Sequence, residues 1–496
     1  MQTYIDTYKA MRKRLNAYGY AMWILEWDLE TDHPSGAIDY RAEQIEVLSN
    51  EIYALETDKK YVKAIDHLYT NLDKISDDLL KREIKKIEKE MRLIKKMPKQ
   101  EYIDYQVLLS KSTSIWSKAR QKDDFECFLP TLEKIITYQR KIVRYLQTPE
   151  LKGYDVLLDL HEEGMTTKEY DTFFEDLRTE LVPFVLTATS GKKPLSRRLT
   201  KNVFPLYKQK KFNMYLTDVF KFDLNHGVVR TSNHPFTSNF SSFDVRIATR
   251  YIENSIESAI FSTIHEMGHG IYEQNINPAL KDTYLAQGSS MGMHESQSRM
   301  YENMIGRSFA FWEVHYDYLK DIFDKELKNV SLLEFYQYIN RAERSIIRTE
   351  ADELTYPLHI MVRYEIEKLL ISGKLKPKDV AKRWKRLYQQ YVGIRPKDDK
   401  DGVLQDIHWA AGSFGYFPTY ALGSAYAAQI FYAMNKDFNV ENAISDNKIE
   451  KINTWLKENI HQYGQTKTPK ELILLATKEP FNSTYYIEYL KRKFSS

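Results

Sequence analysis

The chain has 496 residues, of which 43% are hydrophobic and 28% are charged, and its formal net charge is only +3. This balance gives no electrostatic reason to expect nucleic acid or a membrane surface as a partner. The single cysteine, Cys127, excludes an intramolecular disulfide and a thiolate metal cluster, and it fits a reducing, cytoplasmic compartment. Glycine and proline are few, at 18 and 15, which argues against a loop-rich or all-β fold.

The N-terminal stretch "MQTYIDTYKAMRKRLNAYGYAMW" has no uninterrupted apolar core and no small-residue cleavage site. We therefore expect no signal peptide. Nowhere does the sequence contain about 18 consecutive apolar residues, so no transmembrane helix is expected.

Most of the chain is predicted to be helical. Between Leu80 and Ile94, apolar residues recur at alternating steps of four and three among lysines and glutamates. This spacing predicts an amphipathic helix with a solvated charged face, and a coiled coil is the alternative. The helix should end before Pro98, because proline disfavours helical geometry in the residue that precedes it. Further on, Thr166 followed by Glu169 predicts a capping box at a helix start.

A small β-sheet is predicted near the middle of the chain. The segment "FDVRIA" is strand-like, and Asn225, Gly227 and Asn233 supply turn residues before it. No repeat of fixed period and no Gly/Ser/Pro linker divides the sequence. Residues 1–496 are therefore predicted to form one large, mostly α-helical unit with a small sheet.

The stretch "IHEMGHG" puts His265 and His269 four residues apart with Glu266 between them. At 100° per residue the two histidines share the polar face of a helix with Ser258 and Ser262, so both imidazoles could reach one Zn²⁺ ion. A pair of histidines hydrogen-bonded to their neighbours is the alternative. The opposite face of this helix is apolar and carries Ile256, Ile260, Met267 and Ile271.

Glu266 is offset from both histidines, which suits a general base acting on a water molecule at the metal better than a third ligand. Gly268 is unusual in a helix interior, where glycine costs up to about 1 kcal/mol relative to alanine. We expect its missing side chain to leave room for substrate beside the metal.

A catalytic zinc site uses three protein ligands and keeps one position open. In "SMGMHESQSRMYENMIGRS", Glu295, Arg299 and Glu302 share one helical face, and methionines occupy the opposite face. Glu295 is the predicted third ligand; an ordinary Glu295–Arg299 surface pair is the alternative. His294 could orient substrate or simply cap a neighbouring group.

Several motifs in order resemble one known family, the carboxypeptidase Taq family of zinc metallocarboxypeptidases. The resemblance spans nearly the whole chain. One departure is Ala248, where the family usually has threonine. The motifs are "WDLETDHPSGAIDYRAEQ" from Trp27, "YDVLLDLHEEGMT" from Tyr154, "HPF" at His234–Phe236, "DVRIATRY" at Asp244–Tyr251, "HEMGH" at His265–His269, "HESQS" at His294–Ser298, "IRTEAD" at Ile347–Asp352 and "GVLQDIHW" at Gly402–Trp409.

The resemblance implies a mostly α-helical single peptidase domain whose two lobes flank a deep central groove, as in neurolysin and angiotensin-converting enzyme. It implies removal of single C-terminal residues, with broad specificity, from peptides with a free C-terminus. One Zn²⁺ per chain, or Co²⁺ in some members, and a homodimer are implied as well. By this match His265, His269 and Glu295 are the metal ligands and Glu266 is the base.

The oxyanion formed during peptide hydrolysis needs a hydrogen-bond donor besides the metal. The segment "DIHWAAGSFGYFPTYALGSAYAAQ" offers His408, Tyr416 and Tyr420. The spacing of Tyr420 from Gln429 resembles the oxyanion tyrosine region of the angiotensin-converting enzyme group. Tyr420 is therefore the first candidate and His408 the second, with Tyr416 expected to contact substrate.

An exopeptidase must also bind the free α-carboxylate, and the planar fork of arginine suits a carboxylate. Arg348 in "IRTEAD" is the leading candidate and Arg246 in "DVRIA" the second. Internal pairing, of Arg246 with Asp244 or of Arg348 with Asp352, is the alternative for each arginine.

His234, in "HPF", is a further candidate for substrate binding. Two rival functions remain open at this point. A metallo-endopeptidase or a dipeptide-releasing peptidase would share the metal site and differ in carboxylate capture. A helical scaffold or binding protein would keep the histidine pair for structural reasons alone.

Overall fold

The computed structural model describes residues 1–190, 199 and 201–495. Helices make up 69% of the protein. Within the described residues, short 3-10 helices occur at Ser35–Ala37, Leu72–Lys74, Pro278–Leu280, Arg348–Glu350, Pro377–Asp379 and His461–Thr466. The α-helices span Gln2–Glu30, Ile38–Glu56, Lys59–Thr70, Asp78–Lys96, Lys99–Lys122, Phe125–Leu146, Tyr154–Asp159, Thr167–Asp176, Val182–Ala188, Leu206–Phe220, Ile256–Gln274, Met291–Arg299, Phe309–Ile322, Leu332–Ile339, Tyr356–Ile371, Val380–Tyr391, Phe417–Asp437, Val440–Ser445, Ile449–Asn459, Pro469–Thr477 and Thr484–Phe494, and π-helical segments span Leu177–Leu181 and Met300–Gly306.

In the described part of the chain, two large hydrophobic clusters contain most of the buried apolar side chains of these helices, and a third, small one comprises Ile276, Leu280 and Ala286. The smaller of the two large clusters joins the first four helices of the chain, between Tyr8 and Ile87. The larger cluster runs from Met97 to Phe494 and contains the buried side of the Ile256–Gln274 helix. The "HEMGH" motif therefore belongs to the larger cluster, which holds its helix in place by burial of apolar surface.

The sheet has three strands in the order β1–β3–β2, formed by Gly227–Thr231, Asp244–Thr249 and Phe236–Ser241 respectively. Strand β1 pairs with β3 in parallel, and β2 pairs with β3 antiparallel with Thr237 opposite Ile247. Because side chains alternate between the two faces of a strand, Ile247 and Arg246 point to opposite faces. Ile247 is 1% exposed and faces the core.

The elements predicted from sequence are present. The Leu80–Ile94 stripe lies in the Asp78–Lys96 helix, which ends before Pro98 and buries Leu80, Ile84 and Ile87, as an amphipathic helix should. Thr166 and Glu169 form the predicted capping box, and "FDVRIA" falls in β3. The prediction of a mostly helical fold with a small central sheet is thus confirmed. Within the described residues, no helix is long and apolar enough to cross a membrane.

Candidate metal centre

The Ile256–Gln274 helix, called the HEMGH helix below, begins at Ser255, whose hydroxyl accepts a hydrogen bond from the Ser258 backbone N–H at 3.3 Å. Its apolar face is buried as predicted, with each of the four residues at most 2% exposed: Ile256, Ile260, Met267 and Ile271. The histidine side chains on the other face keep 17% exposure each. Burial of one face thus directs both imidazoles toward the accessible side.

The Met291–Arg299 helix, called the Glu295 helix, is fixed at its N-terminus. The Ser290 hydroxyl accepts from the Met293 N–H at 3.1 Å. The buried Glu162 carboxylate accepts from the Gly292 N–H and the Ser290 hydroxyl, at 2.8 and 2.9 Å. A carboxylate at a helix N-terminus satisfies backbone donors and interacts favourably with the helix dipole. Glu162 thereby sets the start of the helix that presents Glu295.

Gly268 lets these two helices cross closely. A Cβ atom at Gly268 would lie 2.6 Å from Ser298 Cα and 3.0 Å from the Gln297 carbonyl oxygen, both backbone atoms of the Glu295 helix. The expectation that this glycine leaves room for substrate is therefore corrected, because its missing side chain faces the neighbouring helix. On the other side, a Cβ atom at Gly423 would lie 2.6 Å from Glu295 Cβ. Two glycines thus determine how near Glu295 comes to the histidines.

The three candidate ligands meet at one point. Glu295 Oε2 lies 3.8 Å from His265 Nε2 and 3.7 Å from His269 Nε2. All three ligand atoms fall within 4.8 Å of one another. A tetrahedral zinc ion with bonds of about 2.1 Å needs ligand atoms roughly 3.4 Å apart. The two-histidine, one-carboxylate set therefore has the ligand types and the proximity that a divalent ion requires.

His265 has a carboxylate behind it. Its Nδ1 atom lies 3.0 Å from Glu302 Oε2. Glu302 sits in the π-helical segment Met300–Gly306, and such segments often occur at functional sites. Burial opposes protonation of His265, but Glu295 and Glu302 outweigh it and raise the His265 pKa. A carboxylate on Nδ1 fixes the proton there and leaves Nε2 available for a metal.

Arg299 connects Glu295 with Glu302. Its Nε atom donates to Glu295 Oε1 at 2.7 Å, and its Nη1 atom donates to Glu302 Oε2 at 3.1 Å. The Glu295–Arg299 pair offered as an alternative to ligation is thus present, but it uses Oε1 and leaves Oε2 facing the histidines. Glu295 can therefore pair with Arg299 through one oxygen and bind a metal through the other.

Glu266 is 7% exposed and is held by the first part of β2. The Thr237 hydroxyl lies 2.6 Å from Glu266 Oε2 and 3.0 Å from the Glu266 backbone carbonyl. Burial raises the Glu266 pKa, and the charge of His265 and the Thr237 hydrogen bond offset part of the increase. A raised pKa brings a carboxylate closer to the range in which it works as a general base.

The predicted oxyanion donors cluster at the start of the Phe417–Asp437 helix. His408 Nε2 lies 3.3 Å from the Tyr420 hydroxyl, and the Tyr416 and Tyr420 rings meet edge to face at 5.2 Å. Burial and the neighbouring Tyr416 raise the Tyr420 pKa well above its usual value, so the phenol keeps its proton. Burial lowers the His408 pKa to about 4, so this imidazole is neutral at neutral pH.

Arg348 lies beside this cluster and is 7% exposed. Its guanidinium stands 5.1 Å from the centre of the Tyr420 ring, and Nη1 donates to the Tyr356 hydroxyl at 3.1 Å. Its acidic partner is Asp406, at 2.9 Å, and not Asp352 as the alternative prediction had it. Asp406 is shared with the fully buried Arg363.

Arg246 is placed differently. Its guanidinium makes a two-pronged pair with Asp244, at 2.7 and 2.8 Å, as the internal-pair alternative predicts. It also lies over the rings of Trp23 and Trp27, at 4.7 and 5.8 Å, both in the first helix of the chain. Arg246 therefore joins the N-terminal helix to the sheet.

Two further residues named from the sequence, His234 and Ala248, lie in the same β-region. His234 is exposed on the connection between β1 and β2. Ala248 is fully buried in β3. The adjacent Thr249 hydroxyl accepts a hydrogen bond from the Thr263 hydroxyl at 3.1 Å, so the nearest threonine serves the packing of β3 on the HEMGH helix.

Both ring nitrogens of His294 are engaged inside the protein. Nε2 lies 2.7 Å from Glu273 Oε1, and Nδ1 lies 2.7 Å from His269 Nδ1. Of the two roles considered for His294, contact with a neighbouring group is the one the geometry supports, because neither nitrogen remains for a substrate.

Sequence reasoning gave no role to three residues that contact this centre. Glu302 shares a helical face with Glu295 in the sequence, and this shared face could have predicted that Glu302 lies near the metal ligands. Thr237 and Glu273 carried no signal, because their partners Glu266 and His294 lie 29 and 21 residues away in sequence.

A helical protein that combines two histidines and a glutamate at one point with a buried glutamate beside them has the site of a metallohydrolase. The family model described as "Carboxypeptidase Taq (M32) metallopeptidase" matches residues 7–494. The chain therefore belongs to the carboxypeptidase Taq family, and the resemblance found in the sequence is confirmed.

Individual relatives agree along the whole length. The chain is similar to Carboxypeptidase 1 of Bacillus subtilis, with 41% identity over 100% of this chain and 99% of the relative. Thermostable carboxypeptidase 1 of Pyrococcus furiosus is 35% identical over 98% and 97% of the two chains. The crystal structure of M32 carboxypeptidase from Deinococcus radiodurans superposes with a TM-score of 0.94 at 32% identity, covering 99% of each chain. The protein is thus a metal-dependent carboxypeptidase, a peptide hydrolase.

Proposed function

We propose that the protein removes single C-terminal residues from peptides, with broad specificity, using one metal ion per chain and Glu266 as general base. The observation that carries the proposal is the convergence of His265, His269 and Glu295 within 4.8 Å, with the buried Glu266 on the same helix. Peptides with a free C-terminus are the proposed substrates.

Zn²⁺ is the proposed ion, with Co²⁺ as a substitute. Two imidazoles and one carboxylate form a ligand set common in catalytic zinc sites, and they leave a coordination position open. An ion bound there supplies Lewis acidity, which polarises the scissile carbonyl and makes a water molecule more acidic. The side chains His265, His269 and Glu295 would hold it.

Glu266 is proposed to accept a proton from the attacking water and to pass it to the leaving amine. Its burial supports this role, because a carboxylate with a raised pKa is a stronger base towards the attacking water. The Thr237 hydroxyl, 2.6 Å from Glu266 Oε2, would hold the carboxylate in one orientation.

Tyr420 is proposed to donate a hydrogen bond to the developing oxyanion. Its phenol stays protonated, and His408 Nε2 at 3.3 Å would orient the hydroxyl. His408 is the second candidate for the same donor. Tyr416, packed edge to face against Tyr420, would form part of the wall along which the substrate lies.

Arg348 is the proposed partner of the substrate's α-carboxylate. It shares Asp406 with Arg363, so two buried guanidiniums have one carboxylate between them. The excess positive charge is unfavourable in a buried position unless an anion balances it. A substrate carboxylate would do so. Arg246 and His234 remain weaker proposals, since Arg246 is already neutralised by Asp244.

The whole chain is proposed to be one peptidase domain, with two helical lobes on either side of a groove. The separate hydrophobic cluster of the first four helices supports a distinct N-terminal part. A homodimer is proposed from the family resemblance. A cytoplasmic location is proposed from the single, free cysteine.

A mass-spectrometric time course on one peptide tests the reaction. The purified, zinc-loaded enzyme is incubated with a peptide of mixed sequence and with its C-terminally amidated twin. The free peptide should yield a ladder that shortens by one residue at a time, and the amidated twin should stay intact. Internal fragments, or equal cleavage of both peptides, would favour the endopeptidase alternative. Steps of two residues would favour a dipeptide-releasing enzyme.

A further inference from the structure

Glu273 is a buried carboxylate at the end of the HEMGH helix that takes no direct part in the candidate metal site. It is 1% exposed. Its Oε1 atom accepts from the Gly288 N–H at 2.8 Å and lies 2.7 Å from His294 Nε2. Its Oε2 atom accepts from the Asn239 side-chain amide at 2.8 Å. Both oxygens are thus occupied, and the carboxylate is fixed toward the His294 ring.

A single proton fits between the His294 and His269 rings, whose Nδ1 atoms are 2.7 Å apart. The Glu273 carboxylate can only accept, so His294 carries its proton on Nε2 and presents a bare Nδ1. His269 must then donate through Nδ1–H. This leaves a lone pair on His269 Nε2, the atom 3.7 Å from Glu295 Oε2. The opposite arrangement would place a proton on His269 Nε2 and block metal binding there.

The His294 ring is also held sterically. A Cβ atom at Gly288 would lie 2.5 Å from His294 Cδ2, so only glycine lets the loop pass this close to the ring. The Tyr272 ring also packs against the imidazole, with ring centres 5.0 Å apart. The loop and the tyrosine together keep the imidazole in the orientation that the two hydrogen bonds require.

We propose that His294 is a positioning residue, which holds His269 in its metal-binding tautomer and is itself held by Glu273. The two histidines of the motif are thus supported differently. His265 meets the Glu302 carboxylate directly, at 3.0 Å, whereas His269 meets a carboxylate through an intervening imidazole. The inference rests on the proposed metal site.

Two substitutions separate hydrogen bonding from packing. His294→Leu removes the acceptor and keeps the bulk. His294→Asn places an amide oxygen near the position of Nδ1, so it can still accept from His269 Nδ1–H. Removing the group that is hydrogen-bonded to the non-ligating nitrogen of a metal-binding histidine typically lowers metal affinity by roughly 10–100-fold. We expect the leucine variant to bind Zn²⁺ that much more weakly and the asparagine variant to stay within about threefold of the parent.

His315→Leu is the matched control. His315 is fully buried, and its Nδ1 atom bonds the Tyr215 hydroxyl at 2.8 Å, so the substitution removes a buried imidazole without touching the candidate ligands. Zn²⁺ dissociation constants are measured at one pH by competition with a chelator, and circular dichroism checks that each variant is folded. The control should lose thermal stability and keep its affinity for Zn²⁺.

The outcomes are distinct. A parent enzyme that fails to bind Zn²⁺ overturns the metal site itself. A parent that binds, with the leucine variant binding equally well, overturns the role of His294. Equal losses in the leucine and asparagine variants reduce that role to packing. If the leucine variant does not fold, long-range ¹H–¹⁵N NMR correlations of the histidine-labelled, metal-free parent decide. They should show the His269 proton on Nδ1, and a proton on His269 Nε2 would refute the inference.

Discussion

Gly268→Ala tests directly how the candidate metal centre is built. The added methyl group would lie 2.6 Å from Ser298 Cα, whereas ordinary contact begins at 3.4 Å. The obstructing atoms are backbone, so no change of rotamer can move them. Restoring normal contact requires the two helices to separate by about 0.8 Å, because repulsion is steep inside van der Waals distance. Glu295 belongs to one of these two helices, so its distance from the two histidines changes with their separation.

Gly268→Ala should weaken both metal binding and stability. Metal–ligand distances tolerate a change of about 0.2 Å, so a shift of about 0.8 Å distorts or removes one bond. We expect zinc affinity to fall at least tenfold, which corresponds to about 1.4 kcal/mol. Alanine favours the helix by up to about 1 kcal/mol, while overpacking costs about 1–3 kcal/mol. The free energy of unfolding should therefore fall by at most about 3 kcal/mol.

Gly270→Ala on the same helix is the matched control. Its methyl group would meet a ring carbon of Phe222 at 2.8 Å and a methyl of Ile247 at 3.3 Å, both of them side-chain atoms. Zinc affinity by chelator competition and melting temperature by circular dichroism are measured for both variants. Wild-type affinity in folded Gly268→Ala protein would refute the reasoning. An equal loss in both variants would show that the effect is not specific to the crossing at Ser298.

Three further predictions concern the base, the carboxylate partner and acid stability. Glu266→Gln should retain zinc, measured by metal analysis, and lose about 10²–10⁴-fold in kcat; near-normal turnover would remove Glu266 as base. Arg348→Gln should raise KM for free C-terminal peptides far more than the control Arg246→Gln, and equal effects would contradict the assignment. Burial opposes ionisation of Glu163, but Arg82 and nearby lysines outweigh it and lower the Glu163 pKa to about 2 from 4.5. A carboxyl whose pKa is lower in the folded protein than in the unfolded chain stabilises the fold at any pH above the unfolded-state pKa, here by at most about 3 kcal/mol. This contribution is lost as the pH falls from about 5 to 2. Glu163→Gln should therefore lower the melting temperature at pH 7 by more than at pH 4, and an equal difference at both values would contradict a stabilising interaction between Glu163 and Arg82, whose side chains lie 2.8 Å apart.

The local sequence was enough to predict a helix and its buried face wherever apolar and polar residues recur every three or four positions. The four-residue spacing of His265 and His269, with apolar residues on the opposite face, predicted one helix with both imidazoles on its accessible side. The same periodicity predicted the face of the next helix that carries Glu295 and Arg299. These features depend on 100° of rotation per residue, which the tertiary fold does not change.

Gly268 shows where local reasoning fails. The sequence showed that its side chain is missing but not what fills the space, and proximity to the motif suggested substrate. The neighbouring backbone of Ser298 fills it instead. Which surface a helical residue faces depends on the packing of another element, and no periodicity within the helix contains that information.

Arg348 shows the same limit for charges. Its acidic partner was expected nearby, at Asp352, but Asp406, 58 residues away, makes the pair. The sequence alone therefore determined the helical class, the metal motif and the hydrolytic chemistry expected of it, because these are encoded in short spacings and in motifs of a known family. The tertiary structure alone decided the groups that surround the motif, among them Thr237 on Glu266 and the Glu273–His294 pair behind His269. Their partners meet only when distant segments pack, and buried polar groups must find hydrogen-bond partners wherever the fold supplies them.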